Sequence, residues 1–195
     1  RGFELFGARF RDLSPHPTSR KYVYRPPMSP IPGQASAAIG GRSFDLTATI
    51  TRKKNDHGVL FSTGTENSGI SIFIQNERLV VDYNAFDDHS VVTSNIEIPT
   101  GYSTLRAQFQ RIKKGGEITI YVNEEPTGSV RIPLFMRMIS SVGSSIGYDH
   151  GSAVSPQYES PFPFSGELHQ IEIQLAAKRA PDADEAQARA ENARQ

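Results

Sequence analysis

Apolar and polar residues alternate through the middle of the chain. Near its start this pattern places Phe44, Leu46, Ala48 and Ile50 on one side and polar residues on the other. A period of two is typical of a strand with one buried face. The pattern recurs in the segments "GVLFS", "GISIFIQ", "RLVVDY", "TLRAQF", "EITIYV" and "IEIQL". Gly, Asn, Pro and charged clusters separate these segments, which predicts an all-β antiparallel sandwich over residues 40–175.

Two short loops are predicted to close β-hairpins. They are "QNER" at 75–78 and "NEEP" at 123–126. Asn76 and Asn123 can adopt the left-handed conformation that such turns require. The segments on either side of each loop are therefore expected to be antiparallel neighbours.

The last apolar segment changes parity. Ile171 and Ile173 keep one alternation, whereas Phe164 and Leu168 keep the other. Because a one-residue slip turns every side chain to the opposite face, we expect a bulge or edge crossing near His169–Gln170.

The flanks of the predicted sandwich differ from it in composition. Residues 14–33 hold six prolines, which exclude a helix or a central strand there. Residues 1–39 are therefore interpreted as a proline-rich linker from a missing upstream domain. The segment 176–195 is rich in alanine and charge and has no apolar stripe, so we expect a short helical or disordered tail.

Composition supports one well-buried domain and excludes several classes of function. The chain has 195 residues, 37% of them hydrophobic, and 21 basic against 21 acidic groups. Residues 1–42 carry seven basic and two acidic groups, whereas 43–175 carry ten and fifteen, a net of plus five against minus five. The basic groups do not cluster with aromatic residues on the folded part, so no nucleic-acid partner is expected.

The chain contains no cysteine, which excludes a disulfide framework and a thiol nucleophile. No apolar run approaches the roughly 20 residues that span a bilayer, so no membrane partner is expected. The sequence does not indicate the compartment, and cytoplasmic, periplasmic and secreted locations in a bacterium all fit it.

The glycine-rich stretch "STGTENSGIS" is the first candidate for a site. A phosphate-binding loop would need GxxxxGK[ST] between a strand and a helix. No lysine follows here, and the residues after Gly69 have the pattern of another strand. The stretch is interpreted as a turn between two strands.

The histidines show no spacing typical of a metal site. They are His16, His57, His89, His150 and His169. "DDH" at 87–89 and Asp149 offer oxygen ligands that would suit calcium, although hydrated loop residues explain them equally well. A Ser-His-Asp triad has no GxSxG turn to nominate its serine.

Glycan binding would need exposed aromatic rings. The chain has no Trp, so the task would fall to Tyr83, Tyr102, Tyr148 and Tyr158. We expect each of them to be a core or corner residue with its hydroxyl group hydrogen-bonded.

Several segments resemble the C-terminal region of bacterial arylsulfatases. They are "GVLFSTGTENSGISIFIQNERLVVDYNAF", "IPTG", "GGEITIYVNEEPTGSVRIP" and "IGYDHGSAVSPQYESPFPFSGELHQIEIQL", in this order along residues 40–175. The part from Gly147 to Phe164 is the most specific. "YVYRPPMSP" resembles the proline-rich segment that joins this region to the catalytic domain.

The resemblance implies a concanavalin A-like, laminin-G-like jelly roll that follows a sulfatase catalytic domain. The partner would be that upstream domain, and the cofactors of the whole enzyme would be formylglycine and a divalent cation, calcium. The chain itself lacks the Cys/Ser-x-Pro-x-Arg motif that yields formylglycine, and "SPHPTSR" fails its spacing. No catalytic, cofactor-binding or metal-binding residue is therefore assigned within it.

Two functions follow as expectations. The first is an accessory, non-catalytic domain of an arylsulfatase that packs on the catalytic domain or shapes the rim of its substrate cleft. The alternative is a laminin-G-like module that binds carbohydrate with or without calcium. The family tends to place Asp-Gly in its hairpin turns, whereas this chain has Asn76-Glu77 and Asn123-Glu124, so the turn type is left open.

Overall fold

A computed structural model describes residues 20–137, 139 and 142–176, and it folds Lys21–Leu175 into two antiparallel β-sheets that pack face to face. The strands of this part of the chain are β1 (Lys21–Tyr24), β2 (Phe44–Arg52), β3 (Gly58–Gly64), β4 (Gly69–Gln75), β5 (Arg78–Ala85), β6 (Asp88–Thr93), β7 (Gly101–Ile112), β8 (Gly115–Val122), β9 (Glu125–Ile132), β10 (Ser144–Ile146) and β11 (Glu167–Leu175). The predicted all-β sandwich is confirmed.

The two sheets have different sizes. The six-stranded sheet has the order β1-β11-β2-β7-β8-β9, and the five-stranded sheet has the order β10-β3-β4-β5-β6. Consecutive strands β3 to β6 and β7 to β9 are hairpin neighbours, whereas β2, β10 and β11 pair with strands distant in sequence. No helix among the described residues has the length and apolar character needed to cross a bilayer.

The six-stranded sheet follows the alternation of its sequence. Strand β2 alternates strictly between buried and half-buried residues, and its partner β7 does the same over most of its length. Leu46 and Ala107 are register partners on the inner face, and Thr47 and Arg106 are partners on the outer face. One face therefore enters the core while the other remains polar, as in most antiparallel sheets.

The five-stranded sheet is buried on both faces. Every residue of β3 is buried, and so is every residue of β4 except Gln75. Ile70 and Ile72 face the main core between the sheets, whereas Phe73 belongs to a second cluster with Val59 and Tyr158. The outer face of this sheet must therefore be covered by another part of the chain.

The glycine-rich stretch forms the tight connection between β3 and β4. Gly64, with φ +100°, pairs with Gly69. A Cβ atom on Gly64 would lie 2.2 Å from the Ser68 carbonyl oxygen. The glycine is needed for this close backbone approach, and its role is structural.

Both predicted hairpins are present. Asn76 and Glu77 have φ of 52° and 65°, and Asn123 and Glu124 have φ of 49° and 66°. Positive φ at both central residues is the requirement of a type I′ turn. Both turns therefore have type I′ values of φ, with Glu at the second central position, where glycine is usually preferred.

The predicted bulge lies where the parity changes. The register between β11 and β2 shifts between Leu168 and Gln170, so that His169 is the extra residue. The apolar residues on both sides of the bulge thereby reach the core side, and Leu168 packs on its margin.

Some strands were not predicted. Lys21–Tyr24, placed in the linker, forms β1 at the edge of the six-stranded sheet, where a strand needs hydrogen bonds on one side only. The "DDH" residues were treated as a loop. Asp87 instead ends a turn, and Asp88 and His89 begin β6. Strands β9 and β10 also lack a clear alternation. The predicted tail from 177 onward lies outside the described residues.

A buried arginine ties the two sheets together. Arg52, at the end of β2, is 2% exposed. Its guanidinium donates to the Ile98 carbonyl and to the Glu77 carboxylate in the β4–β5 turn. The Glu77 carboxylate also accepts from the Asn55 amide, and these hydrogen bonds lower the pKa of Glu77 below its ordinary value.

The two Asn-Glu turns should respond in opposite ways to the same substitution. Glu124→Gly removes the strain of a left-handed glutamate and loses one exposed ion pair with Arg106, so we expect the free energy of unfolding to rise by about 0.5–1 kcal/mol. Glu77→Gly removes the same strain but leaves the buried Arg52 without its carboxylate, so we expect a loss of stability. Urea unfolding of both variants provides the measurement, and a gain for Glu77→Gly would contradict this role of Arg52.

Candidate functional site

The outer face of the five-stranded sheet is covered by residues 147–164, here called the cover segment. It is closed by its own backbone, since the Phe164 amide donates to the Gly147 carbonyl and the Asp149 amide to the Pro161 carbonyl. It is attached to β3 by the Val59 amide, which donates to the Phe162 carbonyl. Its ends therefore meet, and it packs on its own side chains in the manner of the shorter Ω-loops.

The centre of the cover segment is a buried carboxylate. Asp149 is 0% exposed, and its Oδ2 accepts from the Tyr158 hydroxyl at 2.6 Å and from the Val154 amide at 3.1 Å. The Tyr158 hydroxyl also lies 2.8 Å from the Ser71 hydroxyl of β4. Burial and the neighbouring Asp149 carboxylate raise the pKa of Tyr158 far above its ordinary value. The chain of contacts holds the cover segment on the sheet.

The Tyr158 ring also packs against two other aromatic rings. It stands edge-on to Phe73 at 5.0 Å and stacks on Phe162 at 5.2 Å between ring centroids. Such aromatic pairs add stability beyond the area they bury. Tyr158 and Phe162 therefore fill the space between the segment and the sheet, whereas Phe164 packs against the main core.

Oxygen ligands for a cation do not come together here. Asp149 Oδ1 is buried without a hydrogen-bond partner. The side chain of Asp87, however, is 91% exposed in its turn. No group of three or more His, Cys, Asp or Glu residues suited to a metal ion exists in the described part of the chain. Calcium binding stays an expectation, and no chemistry is derived through it.

A second polar contact lies on the same outer face. Asp82 of β5 is 0% exposed and accepts from His89 Nδ1 through both carboxylate oxygens, at 2.9 and 3.0 Å. Asn84, two residues along, donates to the carbonyls of Glu66 and Val154 and accepts from the Asp87 amide. Of the "DDH" residues, His89 is thus part of the packing and Asp87 part of the turn.

The sequence analysis assigned no site to the other histidines, and their contacts differ. His57 stacks on Phe162 at 5.4 Å and bonds the Asn55 carbonyl oxygen. His150 Nδ1 is buried without a partner. His16 lies outside the described residues.

The four candidate tyrosines divide into different roles. Tyr83 is buried, its hydroxyl accepts from the Met136 amide, and burial raises its pKa to about 12. Tyr158 belongs to the cover segment, and Tyr148 is half-buried. Tyr102 is 68% exposed, so of the two positions expected for these tyrosines, core or corner, it does not have the first.

Tyr102 and His169 form an aromatic platform on the outer face of the six-stranded sheet. Their ring centroids are 5.9 Å apart with 30° between the planes. His169 Nε2 lies 2.7 Å from the Thr51 hydroxyl oxygen, which orients the imidazole. The bulge in β11 turns His169 toward this face, a known use of bulges beside binding sites.

Tyr102 is exposed on this face, whereas Arg106 on the same face contacts several neighbouring side chains. Arg106 lies 3.8 Å above the Tyr121 ring centroid and also contacts Asp45 and Glu124. Burial raises the pKa of Asp45, and Arg106 opposes that shift. The outward parity of Tyr102 could be read from "YSTLRAQF", where Leu105, Ala107 and Phe109 point inward, but the position of His169 depends on the bulge.

A small groove lies elsewhere, at the end of the sandwich where β3 finishes. It has a volume of about 220 Å³ and is lined mainly by the small residues of 33–40 with Thr63, Arg137 and Ile139. Nothing polar converges in it except the Arg137 side chain and a few hydroxyl groups. It offers less space than the ~300 Å³ typical of ligand pockets.

Comparisons with known proteins identify the fold but no family. No protein-family description matches the chain, and no curated protein is similar to it. Among solved structures, the NanB sialidase from Streptococcus pneumoniae is similar at a TM-score of 0.54 and 16% identity, over 83% of this chain and 27% of that one. The LG1–3 region of the laminin α2 chain is similar at 0.51 and 12%, over 82% and 31%. The fold is a laminin-G-like jelly roll.

A further neighbour is the LG4–5 pair of the mouse laminin α1 chain, at a TM-score of 0.47 and 13% identity, over 82% of this chain and 41% of that one. The chain therefore spans less than half of each of these neighbours. At such identities the similarity concerns the fold alone.

The hydroxyl group of Tyr158 should contribute strongly to stability. Tyr158→Phe leaves Asp149 and Ser71 buried with one partner fewer each, so we expect the free energy of unfolding to fall by about 1–3 kcal/mol. Tyr102→Phe is the matched control, and its exposed hydroxyl should change stability by less than about 0.5 kcal/mol. Equal losses in the two variants would contradict the role of the buried contact.

Proposed function

We propose that this chain is an accessory, non-catalytic domain of a bacterial arylsulfatase and that it packs against the catalytic domain. The observation that carries the non-catalytic role is how the chemistry-bearing side chains of the sandwich are used. Asp149 binds Tyr158, Asp82 binds His89, and Glu77 binds Arg52. Each of these groups is engaged in holding strands, turns or the cover segment in place.

The sulfatase part of the proposal is supported by sequence resemblance. The most specific matching segment, Gly147–Phe164, is the cover segment of the structure. A domain of the same fold also forms part of a sialidase, which gives a precedent for this sandwich within a glycan-processing hydrolase. Formylglycine and calcium would belong to the upstream domain, since this chain has no Cys/Ser-x-Pro-x-Arg motif from which the aldehyde could form.

The proposal can be tested by aryl sulfate hydrolysis. We expect the full-length polypeptide that contains this chain to release the phenol from an aryl sulfate ester, and the 195-residue chain alone to release none. The sequence preceding Arg1 should contain Cys/Ser-x-Pro-x-Arg and acidic metal ligands. Turnover by the isolated chain would contradict the accessory role, and absence of the upstream motif would reject the sulfatase parent.

A second candidate, glycan binding, is favoured by one observation, the exposed Tyr102–His169 platform. A sugar ring could stack on Tyr102, while the Thr51, Thr104 and Glu167 side chains around it offer donors and acceptors. The ligand class would be a sulfated or neutral oligosaccharide of the kind that the parent enzyme handles. The platform lies on the polar outer face and not in the core.

Titration of the chain with a panel of sulfated and unsulfated oligosaccharides, with and without EDTA, tests this candidate. We expect saturable binding that Tyr102→Ala weakens by about tenfold or more. Val23→Ala is the control, because Val23 is exposed at the sheet edge away from the platform. Absence of saturable binding, or equal binding by Tyr102→Ala, would reject a glycan site on this platform, and loss of binding in EDTA would require a cation.

A further inference from the structure

The first and last strands of the sandwich bring both flanks of the chain to one end of it. Lys21 is the register partner of Gln174, and Leu175 is the partner of Phe44. Lys21 and Leu175 therefore both lie at the end of the sandwich where β2 begins. We call this the terminal end.

Exposed apolar side chains concentrate at the terminal end. Within the described residues five large apolar side chains are exposed, namely Val23, Phe86, Tyr102, Ile112 and Leu134. Phe86 lies in the β5–β6 turn, Ile112 ends β7, and Leu134 follows β9, and these three are 70%, 50% and 44% exposed.

Contacts beneath these residues show that they share one end. The Tyr83 ring of β5 lies 6.3 Å from Phe109 of β7 and 5.8 Å from Phe135, which follows Leu134. The Phe135 amide donates to the Lys114 carbonyl in the β7–β8 turn. The three exposed side chains thus surround the rim of one buried aromatic cluster.

Phe86 is costly in this position by itself. Its φ is +57°, and that of Asp87 is +69°, the pair of values of a type I′ turn. A bulky aromatic residue is a rare choice there, because a left-handed conformation disfavours side chains with a Cβ and glycine or asparagine is normally used. Backbone strain of this kind is typical of functional positions. The turn therefore has a strained backbone and an exposed aromatic ring. Burial of that ring against a partner would offset the free-energy cost of both.

The terminal end carries charges of both signs around its apolar side chains. Lys113, Lys114 and Arg137 are exposed there. Asp87 and Asp88 of the β5–β6 hairpin and Glu66 of the adjacent β3–β4 turn are exposed at the same end. A partner surface that is apolar at its centre and carries both acidic and basic groups at its rim would be complementary.

We propose that the terminal end, with Phe86 as its anchor, is the surface that docks onto the domain preceding this chain in its polypeptide. The inference rests on the proposed function that the chain is an accessory domain of a larger enzyme. A domain attached through the residues before Lys21 is tethered to this end, and the tether raises its effective concentration there. The contact would bury the exposed apolar surface of Phe86, Ile112 and Leu134.

The experiment compares the full-length polypeptide with the 195-residue chain by hydrogen exchange. We expect the amides of the Phe86–Asp87 turn to exchange at least about tenfold more slowly in the full-length polypeptide, because docking would cover them. Exchange in the β8–β9 turn at Asn123–Glu124, which lies at the opposite end, should be the same in both. Equal exchange of the Phe86–Asp87 turn in the two proteins would overturn the proposal.

The substitution Phe86→Asn separates docking from simple folding. Asparagine tolerates positive φ, so in the 195-residue chain we expect the midpoint of thermal unfolding to rise by about 2–4 °C. In the full-length polypeptide the same substitution should abolish the slow exchange at the turn. Val23→Ala should leave both quantities unchanged. A lower midpoint for Phe86→Asn in the isolated chain would overturn the role assigned to this ring.

The remaining outcomes distinguish this proposal from the proposed function. Slow exchange at the turn without aryl sulfate turnover would reject the sulfatase parent and retain the docking surface. Aryl sulfate turnover with equal exchange at the turn would retain the sulfatase parent and reject the docking surface. Concentration-dependent dimerisation of the 195-residue chain that Phe86→Asn abolishes would assign the surface to a second copy and overturn docking onto the preceding domain.

Discussion

The structure depends on the need to bury both faces of the five-stranded sheet. Strands β3 and β4 are buried along almost their whole length, so one opposing sheet cannot satisfy them. The cover segment supplies the second layer, and Asp149 fixes it through the Tyr158 hydroxyl and the Val154 amide. A buried carboxylate is tolerated only when hydrogen bonds compensate its lost hydration. These bonds therefore determine the path of a segment that has no regular secondary structure of its own.

This arrangement limits where the domain can meet other molecules. The inner strands of the five-stranded sheet present no free face, so the main open surfaces are its edge strand β6, the polar face of the six-stranded sheet and the two ends of the sandwich. Tyr102 lies near the end of β2, and Phe86 lies at the end where β2 begins. The two exposed aromatic side chains are thus on separate surfaces. A single module could dock through its terminal end and still keep the platform accessible.

The fold was predictable from sequence wherever side-chain alternation decides the structure. Phe44 to Ile50 and the two Asn-Glu turns gave correct strands and hairpins, and the parity change before Ile171 located the bulge. Alternation could not predict the cover segment, because Asp149 and Tyr158 are buried by tertiary packing with no local period. The strained Phe86–Asp87 turn is contrary to local preference, so no turn rule could nominate it. The platform was not predicted, because Tyr102 was expected to be a core or corner residue and nothing in the local sequence places His169 beside it.

The relation between resemblance and function also becomes clearer. The segment with the most specific resemblance to arylsulfatases, Gly147–Phe164, is the one whose side chains hold the cover on the sheet. Asp149 and Tyr158 of this segment are hydrogen-bonded to each other, and the Tyr158 hydroxyl also contacts Ser71 of β4. A sequence segment can therefore be specific because packing demands it, and it need not mark a binding surface. The surfaces proposed here to contact other molecules have exposed aromatic residues at positions where polar residues or glycine are usual, Tyr102 on an outer face and Phe86 in a tight turn.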